Sequence, residues 1–317
     1  MNLFTIKNNS LEEVERKPFK LEKDIQQLVE NNTETLFQLE FICTELSVDK
    51  YRLDSLCFDT ENNSFVIIEY KKGNSYSVID QGYTYLQLLL NNKSDFLLTL
   101  SQHYNKVLRL EDVDWSQSRI IFISPSFNSY QKDSVNFKNL PFELWEIKRY
   151  SNNTVVFDKH KSTSTESIDS ISSPKSSIIS QVSNEVKVHT IDEHTSRMSD
   201  SLNKKWEELI ERFNEFEGVE LIPKRHYVGL NLNGTNICYI KFRKSTIIFE
   251  IVRGSKSEDG VVSKNFFDLD DPKELSEEKS RELNSGRFQY TYVIKTTDKL
   301  DVDYMMFLMK QKYNNLL

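Results

Sequence analysis

A chain of 317 residues with a net charge of −7 is long enough for two domains with cores of their own, and it carries no global basic field that would draw it onto nucleic acid. That balance argues against tight, metal-free, nonspecific DNA binding, but it is compatible with a site that is itself acidic. Cys43, Cys57 and Cys238 sit in apolar strings without ligand spacing, and no run resembles a membrane span or signal peptide; the expectation is a cytoplasmic protein with no membrane partner.

Leu3, Phe4 and Ile6 begin a short edge strand. Leu21 to Asn31 reads as a helix with Leu21, Ile25, Leu28 and Val29 along one stripe, and Glu22 stands at its edge. Thr33 to Leu39 makes a second helical turn, and Phe41 to Leu46 is extended. Arg52 to Lys71 reads as a β-hairpin. Leu53, Leu56, Cys57 and Phe58 form its first strand, Asp59 to Ser64 its turn, and Phe65 to Ile68 a second strand apolar enough to be buried on both faces. Alternate strand residues share a face, so Glu69 and Lys71 point one way and Tyr70 the other. Pairing around a turn near Asn62 sets Asp54 beside Glu69.

After the loop Lys72 to Ser75, a helix from Val78 to Leu90 carries Gln81 and Tyr85 four residues apart on one face, with Leu86, Leu89 and Leu90 as its apolar stripe. Phe96 to Leu100 reads as the next strand, and strand, helix, strand in this order implies a right-handed crossover and a mixed sheet. Arg119 to Ser124 is a buried strand. Phe142 to Ile147 alternates with period two, with Trp145 in the core, and Thr154 to Phe157 closes the sheet.

Two carboxylates and an ammonium converging at one mouth have a physical use. Carboxylate oxygens are hard ligands that suit Mg2+ or Mn2+, and a bound metal acidifies water and stabilises charge on a phosphodiester. The order Asp54, Glu69-x-Lys71, Gln81-x-x-x-Tyr85 resembles the PD-(D/E)XK nuclease superfamily, in the branch whose helix carries a Gln and a Tyr. Together with the stretch Phe19 to Gln26, Arg52-Leu53-Asp54 and Asp80-Gln81-Gly82, it is similar to a bacterial family of predicted nucleases whose nuclease-like domain precedes a small DUF5655-type domain. The resemblance implies a restriction-endonuclease-like α/β fold over residues 1–160, a mixed sheet flanked by helices, with Mg-dependent endonuclease activity on DNA rather than RNA. It implies that Asp54, Glu69 and the carbonyl of Tyr70 hold Mg2+ (or Mn2+), with Glu22 assisting. Lys71 would orient the water or stabilise the phosphate, Gln81 would position Lys71 or phosphate, Tyr85 and Lys72 would contact the nucleic acid, and Arg52 would neutralise phosphate or support Asp54. A homodimer is the expected form for cutting two strands. The competing reading is a module that keeps the fold but only binds nucleic acid or protein; the full set Asp54, Glu69, Lys71 and Gln81 argues against it.

Residues 161–190 are expected to be a Ser-rich linker without periodicity. Beyond it, His194 to Phe216 reads as one long amphipathic helix stopped by Gly218. Strands follow at Tyr227 to Leu232, Asn236 to Phe242, Thr246 to Val252 and Gln289 to Ile294, with a tight turn at Asn233-Gly234, and Asp301 to Tyr313 is a closing helix. Residues 191–317 are thus an α+β domain. Tyr239, Lys241 and Arg243 share one strand face which, with Lys244, suits contact with nucleic acid or remains a solvated outer face. His194 and His226 show no metal or nucleophile spacing.

Overall fold

A strand buried on both faces has to lie inside a sheet covered on both sides, and Ser64–Tyr70 is buried at every position. The computed structural model describes residues 2–71, 78–137, 140–161, 178–283 and 285–317, and the chain divides into two units, Met1–Lys187 and Val188–Leu317. The first contains a hairpin of β1 (Leu3–Lys7) and β2 (Ser10–Val14), helices α1 (Glu22–Glu30) and α2 (Thr33–Phe37), and strands β3 (Glu40–Val48), β4 (Tyr51–Asp59) and β5 (Ser64–Tyr70). Helices α3 (Val78–Asn91) and α4 (Lys93–Tyr104), strand β6 (Arg119–Ser124), helix α5 (Ser129–Ser134), strands β7 (Phe142–Arg149) and β8 (Val155–Lys159) and helix α6 (Ile178–Glu185) complete it.

Strands β3 to β8 form one sheet in sequence order: β3, β4 and β5 are antiparallel, β5, β6 and β7 are parallel, and β8 is antiparallel again. On one face α1 buries Ile25 and Val29 against Cys57, Val66, Ile68, Ile121 and Ile123. On the other, α3 and α4 bury Leu86, Leu89, Phe96 and Leu100 against Phe58, Phe65, Ile67, Ile120, Phe122 and Leu144. This is the mixed sheet flanked by helices of the restriction-endonuclease-like class. The parallel strands end together, so the end of β5 opens beside β6 and β7. Helix α3 lies close on this face because Gly82 lacks a side chain: a Cβ there would meet the ring of Phe142, at the start of β7, at 2.6 Å.

Three expectations from sequence are corrected. Phe96 to Leu100 is not a strand but the middle of α4, with Phe96 and Leu100 buried and Leu98 exposed. An unbroken apolar run carries no period, and burial four residues apart shows which one applies. The Ser-rich stretch is not linker throughout. Residues 162–177 lie outside the described ones, but Ile178–Glu185 is α6, whose Val182, with Val186 just beyond it, is buried in the α3-side core. Gln87 donates to Gln181 at 2.9 Å and Lys93 pairs with Glu185 at 2.7 Å. The apolar spacing Ile178, Ile179, Val182, Val186 was masked by serine content.

In the second unit the expected long helix is two: α7 (Ile191–Thr195) and α8 (Asp200–Phe213). Ser199 breaks the run, since its backbone is extended and it stands at the N-cap of α8, a position serine favours. Strands β9 (Val219–Pro223), β10 (Val228–Leu232), β11 (Thr235–Arg243), β12 (Thr246–Lys256), β13 (Glu277–Glu282) and β14 (Phe288–Thr296) form an antiparallel sheet in the order β13-β14-β12-β11-β10-β9. Helix α8 and the final helix α9 (Val302–Leu316) cover one of its faces. Asn233 and Gly234 both have positive φ, 50° and 91°, the geometry of the expected two-residue turn. Among the described residues no helix is long and apolar enough to cross a membrane.

Gly82→Val tests the close passage of α3. It should destabilise the fold by about 1–3 kcal/mol in urea titrations, because overpacking outweighs the helix propensity gained. Unchanged stability would mean that Phe142 moves aside freely.

Candidate active site

The ladder between β4 and β5 runs from Asp59↔Ser64 to Ser55↔Ile68 and goes no further. The next β5 amide turned toward β4 belongs to Tyr70, and the Asp54 carboxylate takes it, Tyr70 N donating to Oδ2 at 3.0 Å. A side chain here replaces a strand partner, which fixes Asp54 at the point where the two strands separate. Tyr70 continues β5 by burying its ring on the α1 side, its hydroxyl 3.1 Å from the Ser55 hydroxyl.

Glu69 and Lys71 leave the other face of β5. Lys71 N donates to the Ile123 carbonyl at 2.8 Å, extending the parallel ladder, and its Nζ donates to Glu69 Oε1 at 2.8 Å. From α3, Gln81 Nε2 donates to the same Oε1 at 2.8 Å and to the Tyr85 hydroxyl at 2.9 Å, while that hydroxyl lies 3.4 Å from Oε1. One oxygen of Glu69 thus gathers an ammonium, an amide and a phenol. The other, Oε2, is buried and makes no hydrogen bond among the described residues, and the same holds for Gln81 Oε1.

The electrostatics follow from this crowding. Glu69 is 4% exposed. Burial, and then the charge of Asp54, push its carboxyl up to about 7 against the pull of Lys71 and Gln81. Burial also raises Asp54, opposed by the Tyr70 amide, Lys71 and Arg52. Burial and the Glu69 charge push the Tyr85 phenol up to about 12, so it stays a donor.

The structure brings together Asp54, Glu69, Lys71, Gln81 and Tyr85. It does not bring Glu22 to them: Glu22 is exposed in the first turn of α1 and makes no hydrogen bond or ion pair among the described residues. The α1 residue that reaches the site's framework is Gln26, one helical turn later. Its Nε2 lies 2.9 Å from Glu30 Oε1, 3.0 Å from Thr44 Oγ1 and 3.1 Å from the Asp54 carbonyl, and Glu30 in turn accepts from Ser55 at 2.6 Å. The stripe Ile25, Val29 could have shown it, because Gln26 flanks that stripe. Arg52 is exposed and pairs with Glu45 at 3.6 Å, and Lys72 lies outside the described residues. In the second unit Lys241 is paired with Glu250 at 2.7 Å, and Arg243 and Lys244 are exposed. Tyr239 is no stacking platform: it is buried against Tyr227, and its hydroxyl accepts from Gln289 at 2.8 Å.

Fold and cluster together define a restriction-endonuclease-like domain with a carboxylate pair, a lysine and a Gln–Tyr helix at the end of its central strand. The chain is 37% identical over 313 residues to an uncharacterized protein of Haemophilus influenzae, covering 98% of this chain and 99% of that one, and it belongs to the same family. No family model matches it. Among solved structures it is similar to a repair endonuclease from Pyrococcus abyssi (16% identity, 38% of this chain and 44% of that one, TM-score 0.23). It is also similar to the EndoMS–dsDNA2 complex (15% identity, 41% and 57%, TM-score 0.20). The chain spans about half the length of these two solved chains.

Glu69→Gln tests the electrostatics. A carboxyl raised in the fold stabilises below its unfolded value near 4.5, and that contribution is lost as pH rises toward about 7. In EDTA the substitution should therefore stabilise the protein at pH 8, on the order of 1–3 kcal/mol, and much less at pH 5. Equal effects at both pH values would contradict the raised carboxyl.

Proposed function

We propose that this protein is a metal-dependent nuclease that hydrolyses phosphodiester bonds, with DNA as its substrate. The observation that carries the reading is the buried Glu69 Oε2, which has no hydrogen-bond donor among the described residues, beside a second carboxylate and a lysine. Among the described residues no three His, Cys, Asp or Glu side chains group as metal ligands. Two carboxylates nevertheless fit Mg2+, which is held by one or two protein carboxylates while keeping water and substrate phosphate. Asp54 and Glu69 would hold the ion, with the Tyr70 carbonyl as a third oxygen. When bound, the ion acidifies a water and offsets charge on the phosphodiester.

The chain's own residues have separate tasks. Lys71 lies on the Glu69 carboxylate and supplies a positive charge where the scissile phosphate gathers negative charge. Gln81 and Tyr85 hold Glu69 Oε1, which leaves Oε2 as the ligand oxygen. Gln26 and the Tyr70 amide fix Asp54 by its carbonyl and its carboxylate. Glu22 is not needed in this set.

The test is a cleavage panel of duplex DNA, single-stranded DNA and RNA with Mg2+ or Mn2+, with Lys71→Ala beside wild type. Wild type should cut DNA only with metal, and Lys71→Ala should cut roughly 10²–10³-fold more slowly, as for the loss of one transition-state stabiliser. No cleavage of any substrate would leave a binding module on a nuclease fold. Cleavage of RNA alone would replace the substrate.

A further inference from the structure

The parallel strands place a second charged group level with the first. Lys71 continues β5 beside β6, where Ser124 is the residue level with it, and Ser124 is registered against Glu146 on β7. On β7, Phe142 and Leu144 face the α3-side core while Trp145 and Ile147 face the α1 side. Glu146 and Lys148 therefore share the face that carries Glu69 and Lys71. Helix α5, which follows β6, brings Lys132 to the same place. Lys132 Nζ is 2.7 Å from Glu146 Oε1, Lys148 Nζ is 2.8 Å from Oε2, and the Phe127 amide donates to Oε1 at 3.2 Å.

One carboxylate thus holds two ammonium groups, leaving a local excess of one positive charge. Clamping α5 to β7 would need only one lysine. Each ammonium has three donors, and the Lys132 side chain is 35% exposed. Two strand spacings, ~9.6 Å, separate this group from Lys71. Successive phosphates of one strand are further apart than the ~3.4 Å axial rise, so this group lies one or two phosphates from the scissile one.

We infer that Lys132 and Lys148, positioned by Glu146, form a phosphate-contact subsite that holds the substrate strand on the β7 side of the Asp54–Glu69–Lys71 cluster. The inference rests on the nuclease reading for its substrate, but its own readout is binding. Glu146 is a positioning residue; the two lysines touch the strand. Contacts to phosphate position a strand without reading its sequence.

The experiment measures fluorescence anisotropy of a labelled DNA duplex over a series of salt concentrations, together with KM and kcat for its cleavage. The variant is Lys132→Ala/Lys148→Ala, and Lys132→Gln/Lys148→Gln serves as a second variant that keeps a hydrogen-bond donor for Glu146 if the first unfolds. Either should weaken binding equally for unrelated sequences and flatten the slope of log affinity against log salt by about 2. KM should rise while kcat stays within ~3-fold, because uniform binding is lost rather than transition-state stabilisation. Folded variants with wild-type KM and salt slope, beside a wild type that cleaves, overturn the subsite alone. A wild type that binds without cutting overturns the nuclease reading, and the salt slope alone then decides the subsite. A wild type that neither binds nor cuts overturns both.

Discussion

Two carboxylates of like charge, Asp54 of β4 and Glu69 of β5, meet where β5, a strand buried at every position, reaches its end. This is the constraint on which the first unit turns. Left alone, such a pair would bind a proton or push apart. The structure instead supplies donors from three directions: the Tyr70 amide to Asp54, Lys71 from the same strand, and Gln81 from the helix above. Glu69 remains raised despite them, so the offset is incomplete. Groups held in an unfavourable state by a rigid surround are how a site stores stability for a ligand.

The surround is rigid for reasons that can be traced. The β4–β5 ladder stops one step short of the site, so Asp54 bonds to backbone by its side chain. Gln26 and Glu30 of α1 tie that point from below through the Asp54 carbonyl and Ser55. From above, α3 can bring Gln81 down to Glu69 because Gly82 lets the helix settle on Phe142. Moving any of these shifts an oxygen of the pair.

Much of the cluster was legible in sequence because its geometry is local. Period two places Glu69 and Lys71 on one face, a hairpin turn near Asn62 brings Asp54 alongside, and a spacing of four puts Gln81 and Tyr85 together. What depends on packing between distant segments was not legible. Period two puts Lys148 on the face of Glu146, but nothing in the spacing predicts that Lys132 reaches the same carboxylate, since that depends on where α5 packs. Glu22 and Gln26 differ by one helical turn, and only docking of α1 selects the second. The strand expected at Phe96 and the linker expected at Ile178 failed for a related reason, as apolar residues in a short run or among serines fit more than one period. In the second unit, Tyr239 faces away from the helices as alternation requires, but its burial against Tyr227 and Gln289 depends on neighbouring strands.

The most direct measurement is calorimetric titration of Mg2+ and Mn2+ into the metal-free protein, wild type beside Asp54→Asn, without nucleic acid. Asparagine keeps an oxygen for the Tyr70 amide and removes one charge of the pair. Saturable binding by wild type that is lost or strongly weakened in Asp54→Asn is the expected result. Equal binding by both proteins, or no binding by wild type, would contradict a carboxylate pair built to hold a divalent cation.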